Sequence, residues 1–166
     1  KLLEHIDYIE DIYFAGGEPL MMDEHYIVLE ELIRRGKTNV NLRYSTNASK
    51  LMHRGTNVID MWKHFDSIRI AASIDHYGER AEWLRHGTDW GLVESNLLKF
   101  RKLDYVSFQM NTVFSIFNYS TIGEFYQYLK DKNIIQVEDW YHSLYLAVHP
   151  SYYSAKSLPK ELKTEA

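Results

Sequence analysis

The 166-residue chain contains no cysteine, so its own side chains form no disulfide and offer no thiolate to zinc or to an iron–sulfur cluster. Long apolar runs are missing as well. The longest, Ile68 to Ile74, is broken by Arg69 and Ser73 and falls far short of the roughly 20 residues that span a bilayer. With no signal peptide at its start, the chain reads as soluble and cytoplasmic, without a membrane partner. Charge of one sign is not concentrated either: the formal net charge is -4, with Lys and Arg scattered along the sequence, which argues against nucleic acid as a partner. The 8 histidines show no HExxH or other tight ligand spacing, so no metal ligand is assigned. A Ser–His–Asp order, a Walker loop and a dinucleotide fingerprint are absent too, and no catalytic residue is nominated.

What remains is a composition that is 45% hydrophobic and 25% charged, that of one compact domain with a core of its own. Short β-patterned runs alternate with helical ones, the order expected of βα units and a parallel sheet. Strands are expected at Asp11 to Ala15, Asn39 to Thr46, Ser67 to Ile74, Tyr105 to Ser115 and Ser143 to His149. The opening stretch carries Leu2, Leu3, Ile6 and Ile9 on one helical face without a start signal, as if the chain began inside an element. Helices are expected from Tyr26 to Gly36, after Asn57 as N-cap, over Arg80 to His86, over Trp90 to Lys102, and after a Thr121-Ile122-Gly123-Glu124 capping box. Trp62, Trp83, Trp90 and Trp140 read as core or rim packing. His149, at the end of the last strand, is the histidine best placed as a substrate-side group.

Alternation within three strands sets Val40, Leu42 and Tyr44, then Ile68, Ile70, Ala72 and Ile74, then Val106, Phe108 and Met110 on an apolar face. The opposite face carries Asn41, Arg43, Ser45 and Asn47, then Ser67, Arg69, Ala71, Ser73 and Asp75, then Ser107, Gln109 and Asn111. Small polar groups thus collect near the C-terminal strand ends, where parallel α/β barrels hold their ligands. The same pattern also suits the exposed face of an open sheet.

Ile12 to Leu20, containing Gly16-Gly17-Glu18-Pro19, resembles the strand and GGEP turn of radical S-adenosylmethionine (SAM) enzymes. Tyr44 to Ala48 resembles the strand ending in Thr-Asn that follows it in that family, and Ala71 to Asp75 the next strand, ending in Ser-Ile-Asp. Trp83 to Gly87 and Val113 to Asn118 are similar to the segments that come next, in the family's order. The resemblance implies a partial parallel (β/α)6 TIM-like barrel over residues 1–149, missing its first strand and cluster loop. Residues 150–166 would then be an exit segment towards a C-terminal auxiliary domain of the twitch or SPASM type.

The resemblance also implies roles. Gly16, Gly17, Glu18 and Pro19 would receive the SAM amino group, Ser73 and Asp75 the ribose hydroxyls, and Arg85 the methionine carboxylate. Asn47 and Asn111 are further candidates in the barrel interior. The residues alone allow plainer readings: Glu18 as a helix-start cap, Asp75 as a turn former, Arg85 as half of a surface ion pair. In the family, SAM is cleaved reductively at a [4Fe–4S] cluster held by a CxxxCxxC loop ahead of GGEP, giving a 5′-deoxyadenosyl radical that takes hydrogen from substrate. This chain has no such loop, so it reads as inactive alone and as the SAM-binding portion of a longer enzyme. The implied partners of that enzyme are a substrate that could be a peptide and a reductant such as flavodoxin or ferredoxin. A cluster-less barrel serving as a non-catalytic SAM-binding or interaction domain is the alternative. A third reading places Arg43, Asp75 and His149 on a phosphorylated substrate.

Overall fold

A computed structural model describes residues 2–136 and 144–164. Trp140, His142 and the expected strand start at Ser143 lie outside the described residues. In chain order the strands are β1 (Asp11–Phe14), β2 (Asn41–Thr46), the short β3 (Met52–His53) and β4 (Thr56–Asn57), β5 (Ile68–Ser73), β6 (Val106–Phe114) and β7 (Leu144–Leu146). The helices are α1 (Asp23–Arg34), α2 (Val58–Trp62), α3 (Gly78–Leu84), α4 (Trp90–Arg101), α5 (Ile122–Asp131) and α6 (Lys160–Thr164). Five strands form one sheet in the order β1-β2-β5-β6-β7, with parallel registers such as Tyr13 opposite Arg43 and Arg43 opposite Arg69. This is the α/β fold with a parallel sheet expected of a partial barrel, and each strand comes within a few residues of its expected place. No helix among the described residues is long and apolar enough to cross a membrane.

The chain divides into two compact units, one of Lys1–Ala72 with Leu92–Phe108 and the other of Ser73–Gly91 with Gln109–Ala166. In the first, the apolar faces of β2 and β5 bury Leu42, Tyr44, Ile68, Ile70 and Ala72, while Asn41, Arg43 and Arg69 on the other face are exposed. The alternation arises because successive strand side chains point to opposite faces. α1 turns Tyr26, Val28, Leu29 and Leu32 into this core. Asn57 caps α2, its Oδ1 accepting from Ile59 N at 3.0 Å, as its sequence position predicts. A file of rings runs through the unit: Phe14 stacks on Tyr44 (5.0 Å), Tyr44 meets Trp62 (5.1 Å), and Trp62 meets Phe100 (5.8 Å).

Tyr44 is more than a filler in that file. Its hydroxyl accepts from Trp62 Nε1 at 3.0 Å and bonds His25 Nε2 at 3.0 Å, in a place where Tyr44 is 1% exposed and Trp62 fully buried. Tyr44→Phe keeps the ring and strands two buried polar groups. Because such groups cost free energy when unpaired, the variant should lose about 2 kcal/mol in a urea unfolding titration, with the fold retained.

The second unit packs Ile74, Met110, Phe125, Leu129 and Ile134, all buried. Tyr77 lies flat on Tyr128 with centroids 4.0 Å apart, and Trp90 Nε1 donates to the Tyr128 hydroxyl at 3.4 Å. Two sequence expectations fail here and in the first unit. The capping box at Thr121 does not form: Thr121 makes no side-chain cap bond, because its Oγ1 is taken by His76 Nε2 at 3.0 Å and by an Arg80 guanidinium nitrogen. The opening element is a 3-10 helix over Leu2–Tyr8 with Ile6 buried and Leu3 exposed, so the single apolar α-helical face expected there does not form. The antiparallel β3–β4 ribbon, turning through Arg54 and Gly55 at φ 46° and 87°, carries no alternation long enough to have been read.

Candidate functional site

β1 ends at Phe14, and the chain then turns through Gly16 and Gly17 at φ 82° and 53°. A Cβ at either position would meet nothing within 4 Å. Glycine is therefore needed for the left-handed backbone, not for room. Pro19 opens a 3-10 turn over Pro19–Met21, for which Glu18 is the N-cap. The Glu18 carboxylate also reaches the end of β2: Oε1 accepts from Leu20 N at 3.2 Å and Thr46 Oγ1 at 2.6 Å, and Oε2 accepts from Asn47 N at 2.7 Å. Thr46 Oγ1 accepts in turn from Ala48 N at 3.0 Å. Glu18 is thus both the helix-start cap that residue chemistry alone allowed and a bracket between the Gly-Gly turn and the Thr-Asn strand end. Nearby Tyr26 donates its hydroxyl to Leu20 O at 3.0 Å; burial, with the negative charge of Glu18 second, pushes its phenol up to about 12. Asn47 Oδ1 accepts from Ser49 N at 2.8 Å, an Asx turn that fixes where its amide points.

In the second unit Ser73 and Asp75 follow one another across the C-terminal end of β5, both half-buried. Asp75 Oδ2 accepts from Arg85 Nε at 2.9 Å and from a second guanidinium nitrogen at 2.7 Å. Its Oδ1 accepts from Val113 N at 2.9 Å. The two residues expected to contact ribose and carboxylate separately are therefore joined to each other, and Asp75 also ties β5 to β6. Asn111 O accepts from Ile74 N at 3.2 Å, and its side-chain oxygen takes a long 3.4 Å contact from Gln109 Nε2.

Beside Asp75 opens a cavity of about 420 Å³, walled by Trp83, Phe117 and Tyr153 on the aromatic side, by Leu84, Val113 and Ala147, and by Ser115 and His149. Trp83 is 70% exposed and meets Phe117 edge-on at 5.7 Å, as Phe117 meets Tyr153 at 4.9 Å. Its volume and its mix of apolar walls with a few polar groups suit a small molecule carrying a planar ring. His149 lines it, as its place after the last strand suggested. Trp83, Ser115 and Phe117 carry no binding signature in the sequence; Trp83 reads there as core or rim packing, and its exposure is visible only in three dimensions. Arg43, placed by the phosphorylated-substrate reading, is paired with Asp11 at 2.6 Å and lies over the Tyr13 ring at 5.4 Å.

Solved structures share this fold. The chain aligns with Streptococcus suis SuiB bound to S-adenosylmethionine at TM-score 0.57 and 16% identity, covering 80% of this chain and 30% of that one. It aligns with native anSMEcpe with bound AdoMet at TM-score 0.56 and 21% identity, over 92% of this chain and 44% of that one. With anSMEcpe carrying AdoMet and the Cp18Cys peptide the values are 0.54 and 18%, over 87% and 41%. The chain therefore spans less than half the length of these structures. No protein-family model matches it, and no curated protein sequence does.

Proposed function

We propose that this chain is the SAM-binding portion of a radical SAM enzyme, with SAM amino-group recognition at the Gly16-Gly17-Glu18-Pro19 turn. The observation that carries the reading is that turn itself. Two glycines at positive φ are braced to the Thr46-Asn47 strand end by one carboxylate, a turn whose backbone carbonyls would accept from an ammonium group. The likeness of fold to structures solved with AdoMet supports it. Ser73 and Asp75 would take the ribose, Arg85 the methionine carboxylate, and the 420 Å³ cavity the adenine, against Val113 and Phe117. Asn47 and Asn111 are further candidate contacts, each proposed within its own unit. SAM, once bound, would supply a sulfonium that takes up one electron from a donor outside this chain and splits into methionine and a carbon radical. The side chains of this chain bind and orient it.

The cluster is a different matter. With no cysteine in the sequence, and no group of three or more His, Cys, Asp or Glu suited to a metal among the described residues, these residues do not fit a [4Fe–4S] cluster. The thiolates would have to come from elsewhere in a longer product. Activity, reductant and an auxiliary twitch-type domain belong to that longer protein. A peptide is the substrate class we propose, on the strength of the peptide present in one anSMEcpe structure.

Calorimetric titration of the chain with SAM tests the reading. Arg85→Ala should weaken binding about 10-fold or more, since it removes a charge-assisted partner of the carboxylate. Unchanged affinity would show that Arg85 serves only its pair with Asp75.

A further inference from the structure

Asn118 is 1% exposed and does not line the cavity beside Asp75. It nevertheless bonds three residues that do. Its Nδ2 donates to Asp75 O at 3.0 Å and to Val113 O at 2.9 Å. Its Oδ1 accepts from Ser115 N at 2.9 Å, with Ser115 Oγ at 3.5 Å. Both amide hydrogens and the amide oxygen are thereby used, which fixes the side chain without alternatives. The same backbone segment is closed by Asn118 N donating to Ser115 O at 3.3 Å and Thr121 N donating to Asn118 O at 3.1 Å. Ser115 Oγ then accepts from Phe117 N at 3.2 Å, so the ring of Phe117 on the cavity wall hangs from the same knot.

From this arrangement we infer that Asn118 is a positioning residue that sets the spacing between the ends of β5 and β6 and so shapes the adenosine cavity. The inference rests on the SAM reading above. The chemistry is specific to an amide. Asp75 O and Val113 O both face Nδ2, so the group there must donate twice; Ser115 N faces Oδ1, so the group there must accept. Aspartate has the same shape but turns an oxygen towards two carbonyl oxygens, and serine is too short to reach both strand ends. In Asn118→Asp the strand ends should move apart, carrying Asp75 and Val113 off the ligand. Protonation of the new carboxyl restores one donor, and two facing carbonyls favour that neutral form.

The experiment is calorimetric titration of the 166-residue chain with S-adenosylhomocysteine, which shares the adenosine of SAM, at pH 8 and pH 6. Wild type and Asn118→Asp are compared with Asn118→Ser and with Ile134→Ala, a buried change remote from the cavity lining that lowers thermal stability alone. We expect at least a 10-fold loss for Asn118→Asp at pH 8, partly regained at pH 6 relative to wild type at each pH. Asn118→Ser should lose affinity at both pH values without that recovery, and Ile134→Ala should bind as wild type below its melting temperature. Wild-type affinity in folded Asn118→Asp overturns the inference and leaves the SAM reading standing; so does an equal loss in Ile134→Ala. Should Asn118→Asp not fold, Asn118→Ser alone decides, by the same loss or its absence. No binding by folded wild type overturns the SAM reading and this inference with it.

Discussion

Glu18→Ala is expected to lower the unfolding free energy by about 3–5 kcal/mol and to remove measurable binding of S-adenosylhomocysteine. The stability figure follows from three donors, Leu20 N, Thr46 Oγ1 and Asn47 N, that all end on one carboxylate. Leu20 and Thr46 are buried, so water reaches them poorly once the acceptor is gone, and each unpaired donor costs about 1–3 kcal/mol. Bonds to a charged acceptor are stronger than neutral ones. Glu18→Gln separates two meanings of the residue. With its amide oxygen in the place of Oε1, glutamine keeps the bonds from Leu20 N and Thr46 Oγ1 and gives up only the one from Asn47 N. If Glu18 acts by bracing the strand end, Glu18→Gln should keep most of the stability and bind within about 10-fold of wild type, a difference of roughly 1.4 kcal/mol. If its charge meets the ligand ammonium directly, Glu18→Gln should bind as poorly as Glu18→Ala while remaining stable. An unfolding free energy for Glu18→Ala within about 1 kcal/mol of wild type in urea titration, a line drawn at the cost of one lost hydrogen bond, would rule out the bracket.

The bracket marks where sequence reading stops. β2, β5 and β6 were legible because each is long enough to show a period of two, and Leu42, Tyr44, Ile68, Ile70, Phe108 and Met110 are the buried positions that period demands; β1 and β7 are shorter and bury neither face fully. Gly16 and Gly17 announced a turn, and Asn57 a cap, through local backbone chemistry that needs no partner. Thr121 shows the opposite case. Its capping box is correct as a local pattern and does not form, because His76 and Arg80, more than forty residues away along the chain, compete for the same hydroxyl. The candidate site divides the same way. Asp75 and Arg85, given separate roles by the resemblance, hold each other. Glu18 with Thr46, and Asn118 with Asp75, are contacts between residues 28 and 43 positions apart. No spacing rule reaches that far, and neither does periodicity on a single element.

Acidification from pH 7.5 to pH 4.5 should cost the chain about 3 kcal/mol through His25 alone. Burial, with the nearby His53 second, lowers the His25 pKa to about 4 from an ordinary value of 6.5. Between those values the unfolded chain binds a proton that the folded one refuses. The contribution is therefore complete above pH 6.5 and is lost as pH falls towards 4. Geometry explains the refusal. His25 is 3% exposed among Phe14, Tyr26 and Tyr44; Nε2 meets the Tyr44 hydroxyl, and Nδ1 has no hydrogen-bond partner. A second proton would sit on a buried nitrogen with nothing to receive it. His76 acts in the same direction: burial lowers its pKa, and because Nδ1 accepts from Tyr77 N at 2.9 Å, Nε2 carries the hydrogen towards Thr121. Glu31, held near 2 by Arg34 and Arg35, loses its contribution only below pH 4.5, so the two limbs separate on the pH axis. In urea titrations, His25→Gln, which still pairs with Tyr44 and does not titrate, should flatten most of the slope between pH 6.5 and 4.5. Equal stability of the wild-type chain at pH 7.5 and pH 5 would contradict the assignment. Since His25 lies on the helix after the Gly16-Gly17 turn and Tyr44 on the strand that ends in Thr46 and Asn47, the same proton should loosen the Glu18 bracket. Ligand affinity should then fall over the same pH range, and less steeply in His25→Gln.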